Sequence, residues 1–189
     1  MENIVQSGPR IVFVGSASAG KTSLICRIVE NKFEPMTTPT TGTAFFQYHT
    51  NDPEKPVVQI WDTAGMERYR SLNRIFYHEA IAAILVFDFT NYQTFEDLES
   101  WHNEFLTEAQ PNPSIVLVGN KCDLVDDYQV EPEEIQNFAD SHGLQFFSTS
   151  ALTGEGVEEM FQALIKMLPK AEAAVETNIL VPETKKKCC

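Results

Sequence analysis

The stretch RIVFVGSASAGKTSLICRIVE, Arg10–Glu30, decides the fold. Its opening RIVFVG, Arg10–Gly15, is nearly continuous in apolar residues, the pattern of a strand buried on both faces of a parallel sheet. Lys21–Asn31 follows as a helix candidate. Between them, Gly15-Ser16-Ala17-Ser18-Ala19-Gly20-Lys21-Thr22 matches the phosphate loop G-x-x-x-x-G-K-[ST] in the strand-to-helix setting that gives the motif meaning. The chemistry is specific. Backbone N–H groups and the helix N-terminus attract phosphate oxygens, Lys21 supplies a point charge, and the Thr22 hydroxyl can ligate Mg²⁺. A glycine-rich turn with no ligand is the plainer alternative.

The same alternation continues along the chain. Ile81–Asp88 and Ser114–Asn120 read as further doubly buried strands, and Gln145–Thr149 as a weaker one. Thr43–Thr50 and Pro56–Asp62 flank the turn-rich NDPEK and read as an antiparallel hairpin. Tyr92–Ala109 carries Phe95, Leu98, Trp101, Phe105 and Leu106 at helical spacing. Pro132–His142 has Pro near its start and Gly143 past its end, as helix termini prefer. Val157–Leu168 is the last amphipathic segment. Strands alternating with helices predict an open three-layer α/β sheet. Residues 1–9 read as an extension, 10–169 as one domain, and 170–189 as a flexible tail ending KKKCC.

Composition narrows the function classes. With 189 residues, 43% of them hydrophobic and 22% charged, the chain suits one soluble globular domain. A net charge of −13 argues against broad nucleic-acid binding, which relies on positive patches. No apolar run approaches the roughly 20 residues of a membrane-spanning helix, and Met1–Arg10 lacks a secretory pattern. The cysteines at 26, 122, 188 and 189 form no disulfide framework and fit a reducing compartment.

A second motif speaks to the base of a nucleotide. Asn120-Lys121-Cys122-Asp123 follows a predicted strand, at the carboxyl edge where open α/β sheets bind ligands. A carboxylate offers two acceptor oxygens, which match the adjacent N1–H and N2–H donors of guanine. Adenine lacks that pair of donors, so a buried Asp123 would discriminate strongly. Standing alone, the motif reads equally well as a solvated loop. A phosphate-loop kinase would need an acceptor site and a lid, which no segment supplies, and would not need NKCD.

Taken together, GSASAGKT, WDTAGMERYRSL, GNKCDL and STSAL resemble the Ras superfamily of small GTPases, and within it the Rab family. The resemblance runs from about Arg10 to Leu168. It implies a P-loop small GTPase fold with a mostly parallel six-stranded sheet and five helices, a GTP/GDP switch, and Mg²⁺ as cofactor. It also implies nucleotide contacts from Ser16, Ala17, Ser18, Ala19, Gly20, Lys21, Thr22 and Ser23 of the loop and first helix turn. Thr40 stands at the first-switch threonine that senses Mg²⁺ and the γ-phosphate. Phe33 matches the aromatic that packs against guanine, although without the family it reads as a core residue at a helix end. Asp62 matches the acid that holds Mg²⁺ through water, and Gly65 the amide that meets the γ-phosphate. Asn120, Lys121 and Asp123 match the base-reading motif; Ser150, Ala151 and Leu152 match the loop whose backbone reads the guanine carbonyl. Lys21, Thr40 and the position of Met66 carry over as catalytic.

Several positions depart from the family pattern. Leucine stands at 152 where lysine is usual, and its apolar side chain can still cover the base. TTGTAF replaces TIGVDF in the first switch; its Ala-Phe and the later RYRSL are closer to the endosomal branch of Rabs. FYHEA replaces YYRGA. Most consequential is Met66 in place of the glutamine of DTAGQE. That glutamine orients the attacking water, and a thioether cannot. The sharper expectation is slow intrinsic hydrolysis and a long-lived GTP state; the other is a surface methionine in a protein that hydrolyses GTP by other means. A GTP-bound scaffold with negligible hydrolysis is the competing function.

For the tail, the resemblance implies geranylgeranylation of Cys188 and Cys189. Two lipid chains anchor stably where one is marginal, and the preceding lysines favour anionic leaflets. A metal-binding or disulfide pair is the alternative, and two cysteines without a nearby histidine make a poor zinc site. The implied partners are guanine nucleotide, an exchange factor, an activating protein and effectors at the switch regions, with prenyl-binding escort and GDI-type proteins for the tail. Nucleic acid is not among them. The expected form is a monomer cycling between cytosol and the cytoplasmic face of endosomal or vesicle membranes.

Overall fold

The computed structural model describes residues 8–35, 40, 43–63 and 70–169. Six strands form one sheet: β1 (Arg10–Val14), β2 (Ala44–His49), β3 (Val57–Asp62), β4 (Ala80–Asp88), β5 (Ser114–Asn120) and β6 (Gln145–Thr149). Their order is β2-β3-β1-β4-β5-β6. The β2–β3 hairpin is antiparallel, as the NDPEK turn predicts, and every other pairing is parallel.

The apolar runs earn their strand reading by facing two cores. Along β1, Ile11 and Phe13 join one cluster while Val12 and Val14 join the other. β5 divides likewise, with Val116 and Val118 on the first side and Ile115 and Leu117 on the second. α1 (Lys21–Glu30) and α6 (Val157–Met167) cover the first face through Leu24, Ile25, Met160, Phe161 and Leu164. The second is covered by α2 (Arg70–Tyr77), α4 (Leu98–Glu108) and α5 (Pro132–His142), through Tyr77, Trp101, Phe105 and Ile135. Each fully buried side chain of this size stabilises the fold by about 1.5–3 kcal/mol relative to exposure.

The predicted helix over 92–109 is interrupted once. α3 (Tyr92–Glu96) and α4 are separated by Asp97, which keeps helical dihedrals. Asp97 N–H donates to Gln93 O and Trp101 N–H to Asp97 O, both at 3.1 Å, so the rod continues across the irregularity. Counting that rod once, the helices among the described residues number five, as expected. α2 was not visible as an apolar stripe, being only eight residues long. In α5 the expected termini are present: Pro132 opens it behind a Glu131–Glu134 capping box, and Gly143 closes it at φ 64°.

Two further side chains, Lys55 and Cys122, are buried. Lys55, in the turn between β2 and β3, is 5% exposed and donates to Ile165 O at 2.8 Å. It thereby ties the hairpin turn to the carbonyl-rich end of α6, where a cation is favoured. Cys122 is a free buried thiol.

Candidate functional site

The loops after β1, β3, β5 and β6 all leave the sheet at its carboxyl edge. The first is Gly15–Gly20. Gly15 has φ +144°, and a Cβ there would lie 2.2 Å from Val86 O. Gly20 has φ +94°, and a Cβ would lie 2.1 Å from Asn120 Nδ2. Both glycines are therefore demanded by close approach as well as by backbone conformation. Ala17 and Ser18 are exposed at the crown, with Ser18 left-handed at φ 63°, while Ser16 and Ala19 are buried beneath. Gly20 is the N-cap of α1 and offers no side chain to the first-turn N–H groups, which suits an anion there. Ser23 is half-buried in that turn.

Lys21 is 5% exposed and donates to Gly15 O at 2.8 Å and Ser16 O at 2.9 Å. Burial lowers its pKa to about 8, with the nearby Asp62 charge opposing. Asp62, buried at the end of β3, has its pKa raised by desolvation against the opposing bonds from Thr22 and Thr40 and the charge of Lys21. In both groups burial outweighs their mutual attraction.

Thr22 Oγ1 donates to Asp62 Oδ2 at 2.7 Å and lies 3.0 Å from Thr40 Oγ1, which is 3.4 Å from the same carboxylate oxygen. Residues from three separate segments thus bring two hydroxyls and a carboxylate together. Asp62 Oδ1 is buried with no hydrogen-bond partner among the described residues. Hard oxygen donors in small number, with one acceptor oxygen unspent, fit Mg²⁺, which keeps much of its water shell. Among the described residues no group of three His, Cys, Asp or Glu side chains could hold a metal.

The base-side residues meet through Asn120, which is 1% exposed. Its Nδ2 donates to Ala19 O at 3.0 Å; its Oδ1 accepts from Ala151 N–H at 3.2 Å and Thr149 Oγ1 at 3.4 Å. One amide therefore joins the phosphate loop to the SAL loop. Lys121 is left-handed at φ 67° and pairs with the buried Asp88 carboxylate, which also accepts from Thr90. Asp123 is half-buried rather than fully buried, and among the described residues its carboxylate has no hydrogen-bond or ion-pair partner. Ser150 is fully buried, with its oxygen accepting from Thr153 N–H at 3.1 Å. Leu152 is 51% exposed. Phe33 is half-buried and packs against the α1–α6 core, the placement its position at a helix end suggests. Gly65, Met66, Cys188 and Cys189 lie outside the described residues.

Three supporting residues escaped sequence reasoning. Arg27, in the last turn of α1, donates from Nε to Ala151 O at 2.9 Å and from Nη2 to Leu152 O at 2.8 Å. It clamps the SAL loop from below. Thr63 Oγ1 donates to Phe13 O at 2.6 Å, fixing the start of the DTAG segment against β1. Asp88, at the end of β4, is the third. A polar residue interrupting an apolar strand end is the signal that could have found Asp88; Arg27 and Thr63 carry none.

A phosphate loop, an acid at the end of the neighbouring strand and a base-side loop, on this strand order, define the class: a phosphate-loop nucleotide-binding protein of small-GTPase type. A profile of the Ras family matches residues 10–170. Ras-related proteins RABF2b and RABF2a from Arabidopsis thaliana are each 39% identical, over 92% of this chain and 88% of theirs. Probable Ras-related protein Rab-4A from Echinococcus multilocularis is 42% identical, over 84% of this chain and 72% of its own. The chain belongs to the Rab family of Ras-type small GTPases. Members of the Ras family bind GTP and GDP, generally with Mg²⁺.

Proposed function

We propose that this GTPase is a membrane-anchored switch that recruits effectors in its GTP state during vesicle trafficking, and that it hydrolyses GTP slowly. One observation supports the nucleotide site: the Asn120 side chain binds the phosphate loop and the SAL loop at once, joining phosphate-side and base-side residues. Ser16–Ser23 would surround the phosphates, with Lys21 as the charge. Asp123 would accept from guanine N1–H and N2–H. The Ala151 amide, shared now with Asn120, would be offered to the guanine carbonyl, and Leu152 and Phe33 would flank the base and sugar. Thr22, Thr40 and, through water, Asp62 would hold Mg²⁺. When bound, that ion neutralises charge on the outer phosphates. The domain would occupy residues 10–169, with 170–189 as the lipid-bearing tail.

Thr22→Asn is expected to favour GDP over GTP, because the longer amide intrudes between Asp62 and Thr40, the residues that would hold the metal. Titration of both nucleotides in Mg²⁺ checks this. Equal affinities in the variant would remove Thr22 from the metal site.

Met66 sets the expected rate. Met66→Gln supplies a group that can donate to and accept from the attacking water, so the gain should appear in the chemical step with little change in affinity. Acceleration of about tenfold corresponds to about 1.4 kcal/mol. Phosphate release from protein pre-loaded with GTP measures it in one turnover. No acceleration, with or without an activating protein, would show that another residue positions the water. The same experiment on the unaltered chain separates slow GTPase from scaffold, since a scaffold releases no phosphate.

The tail is tested in cells. Removing Cys188 and Cys189 is expected to move a tagged protein from endosomal or vesicle membranes to the cytosol. Retention would mean that prenylation of these cysteines is not the anchor. Among the described residues no helix is long and apolar enough to cross a membrane.

A further inference from the structure

The Ser16 hydroxyl, inside the phosphate loop, faces away from its crown. It donates to Asp97 Oδ2 at 2.7 Å and accepts from Trp101 Nε1 at 2.9 Å. The other Asp97 oxygen accepts from Gln93 Nε2 at 3.1 Å. Ser16 and Trp101 are both buried, and Asp97 is the single residue between α3 and α4. Meanwhile the Ser16 carbonyl accepts from Lys21 Nζ at 2.9 Å and from Ala19 N–H at 3.4 Å. One residue is thus gripped by the α3–α4 rod on its side-chain oxygen, and itself grips Lys21 and the loop through its backbone oxygen. The bond to Asp97 is charge-assisted, the stronger kind.

Alternatives for the Ser16 side chain are poor. Its hydroxyl has one proton, and that proton is committed to Asp97; the indole has one N–H, committed to Ser16. α4 is also the helix against which α2 packs, through the edge-on rings of Tyr77 and Phe105 at 5.4 Å. The anchor of the loop therefore sits on the element next to the second-switch helix.

We infer that Trp101 and Asp97 are positioning residues for the phosphate loop, acting through the Ser16 hydroxyl to fix the backbone and Lys21 that meet the β-phosphate. The inference rests on the nucleotide site proposed above. Groups that must be held to a fraction of an ångström need a supporting shell, and this triad is that shell for the loop. Its effect should be confined to ligands that carry a β-phosphate.

The test uses the full chain and three variants, Ser16→Ala, Trp101→Phe and Asp97→Ala, with Asp97→Asn as the form that keeps an acceptor oxygen. GDP dissociation in Mg²⁺ is measured alongside the affinity for GMP, which has the same base and sugar but no β-phosphate. Ser16→Ala and Trp101→Phe should each speed GDP release by about tenfold, the worth of one hydrogen bond. GMP affinity should not change in Trp101→Phe, and Asp97→Asn should release GDP more slowly than Asp97→Ala. Unchanged GDP release in Ser16→Ala would overturn the inference. So would an equal loss of GDP and GMP binding, which marks a merely structural residue. If Asp97→Ala fails to fold, the Ser16 and Trp101 variants decide alone. Failure of the unaltered chain to bind GDP would instead overturn the nucleotide site itself.

Discussion

Replacing Asn120 with Ala is expected to weaken GDP binding by about a hundredfold and to lower the melting temperature as well. The substitution leaves the Ala19 carbonyl and the Ala151 amide without their partner in a site where Asn120 is 1% exposed. Each unpaired buried group costs about 1–3 kcal/mol, and each 1.4 kcal/mol is tenfold in affinity. Because these bonds join two loops of the fold itself, the cost divides between stability and binding. At this chain length each kcal/mol lost from stability lowers Tm by roughly 2–4 °C. Calorimetric titration of GDP and a thermal melt on the same sample separate the two shares. A variant that melts lower but binds GDP normally would show that Asn120 only staples the loops.

Asp123→Asn is expected to change the base that the site accepts. The native carboxylate presents two acceptors to guanine N1–H and N2–H; an amide presents one acceptor and one donor. Guanine then faces a donor with a donor, whereas xanthine, with a carbonyl in place of the exocyclic amine, faces it with an acceptor. Sites built to pair a polar group reject the mismatched ligand by about 10⁴ or more when the pair is well buried. Asp123 is half-buried, so a loss of GDP affinity of about 10²–10³ is the proportionate expectation. Competition of GDP and XDP against a fluorescent nucleotide reads it. Unaltered GDP affinity in the variant would remove Asp123 from base reading.

Much of this architecture was legible because the sheet is parallel and central. β1, β4 and β5 bury both faces, so their sequences are apolar without alternation, and the motifs fall where those runs stop. The phosphate loop and Asn120 declare themselves by residue type at fixed spacing. Two helices appear as stripes and two by their setting or termini, but α2 is too short to show a stripe. The supporting residues were illegible for a different reason. Arg27 meets Ala151 and Leu152 from far along the chain, as Trp101 and Asp97 meet Ser16. Trp101 reads as core on its stripe, and it is core; nothing in a periodicity says where its one N–H will point. Asp123 would discriminate most strongly if buried, and the structure leaves it half-buried.

The central claim is that one cleft reads both phosphate and guanine. Displacement of a fluorescent GDP from the full chain in Mg²⁺ by GDP, IDP and ADP tests it most directly. IDP lacks the exocyclic amine that pairs with one oxygen of Asp123, and ADP lacks both donors. GDP should displace the probe at the lowest concentration, IDP at roughly ten times more, since one hydrogen bond to a charged group is lost, and ADP should fail. Displacement by ADP as readily as by GDP would show that Asp123 does not read the base and that the site is a phosphate loop alone.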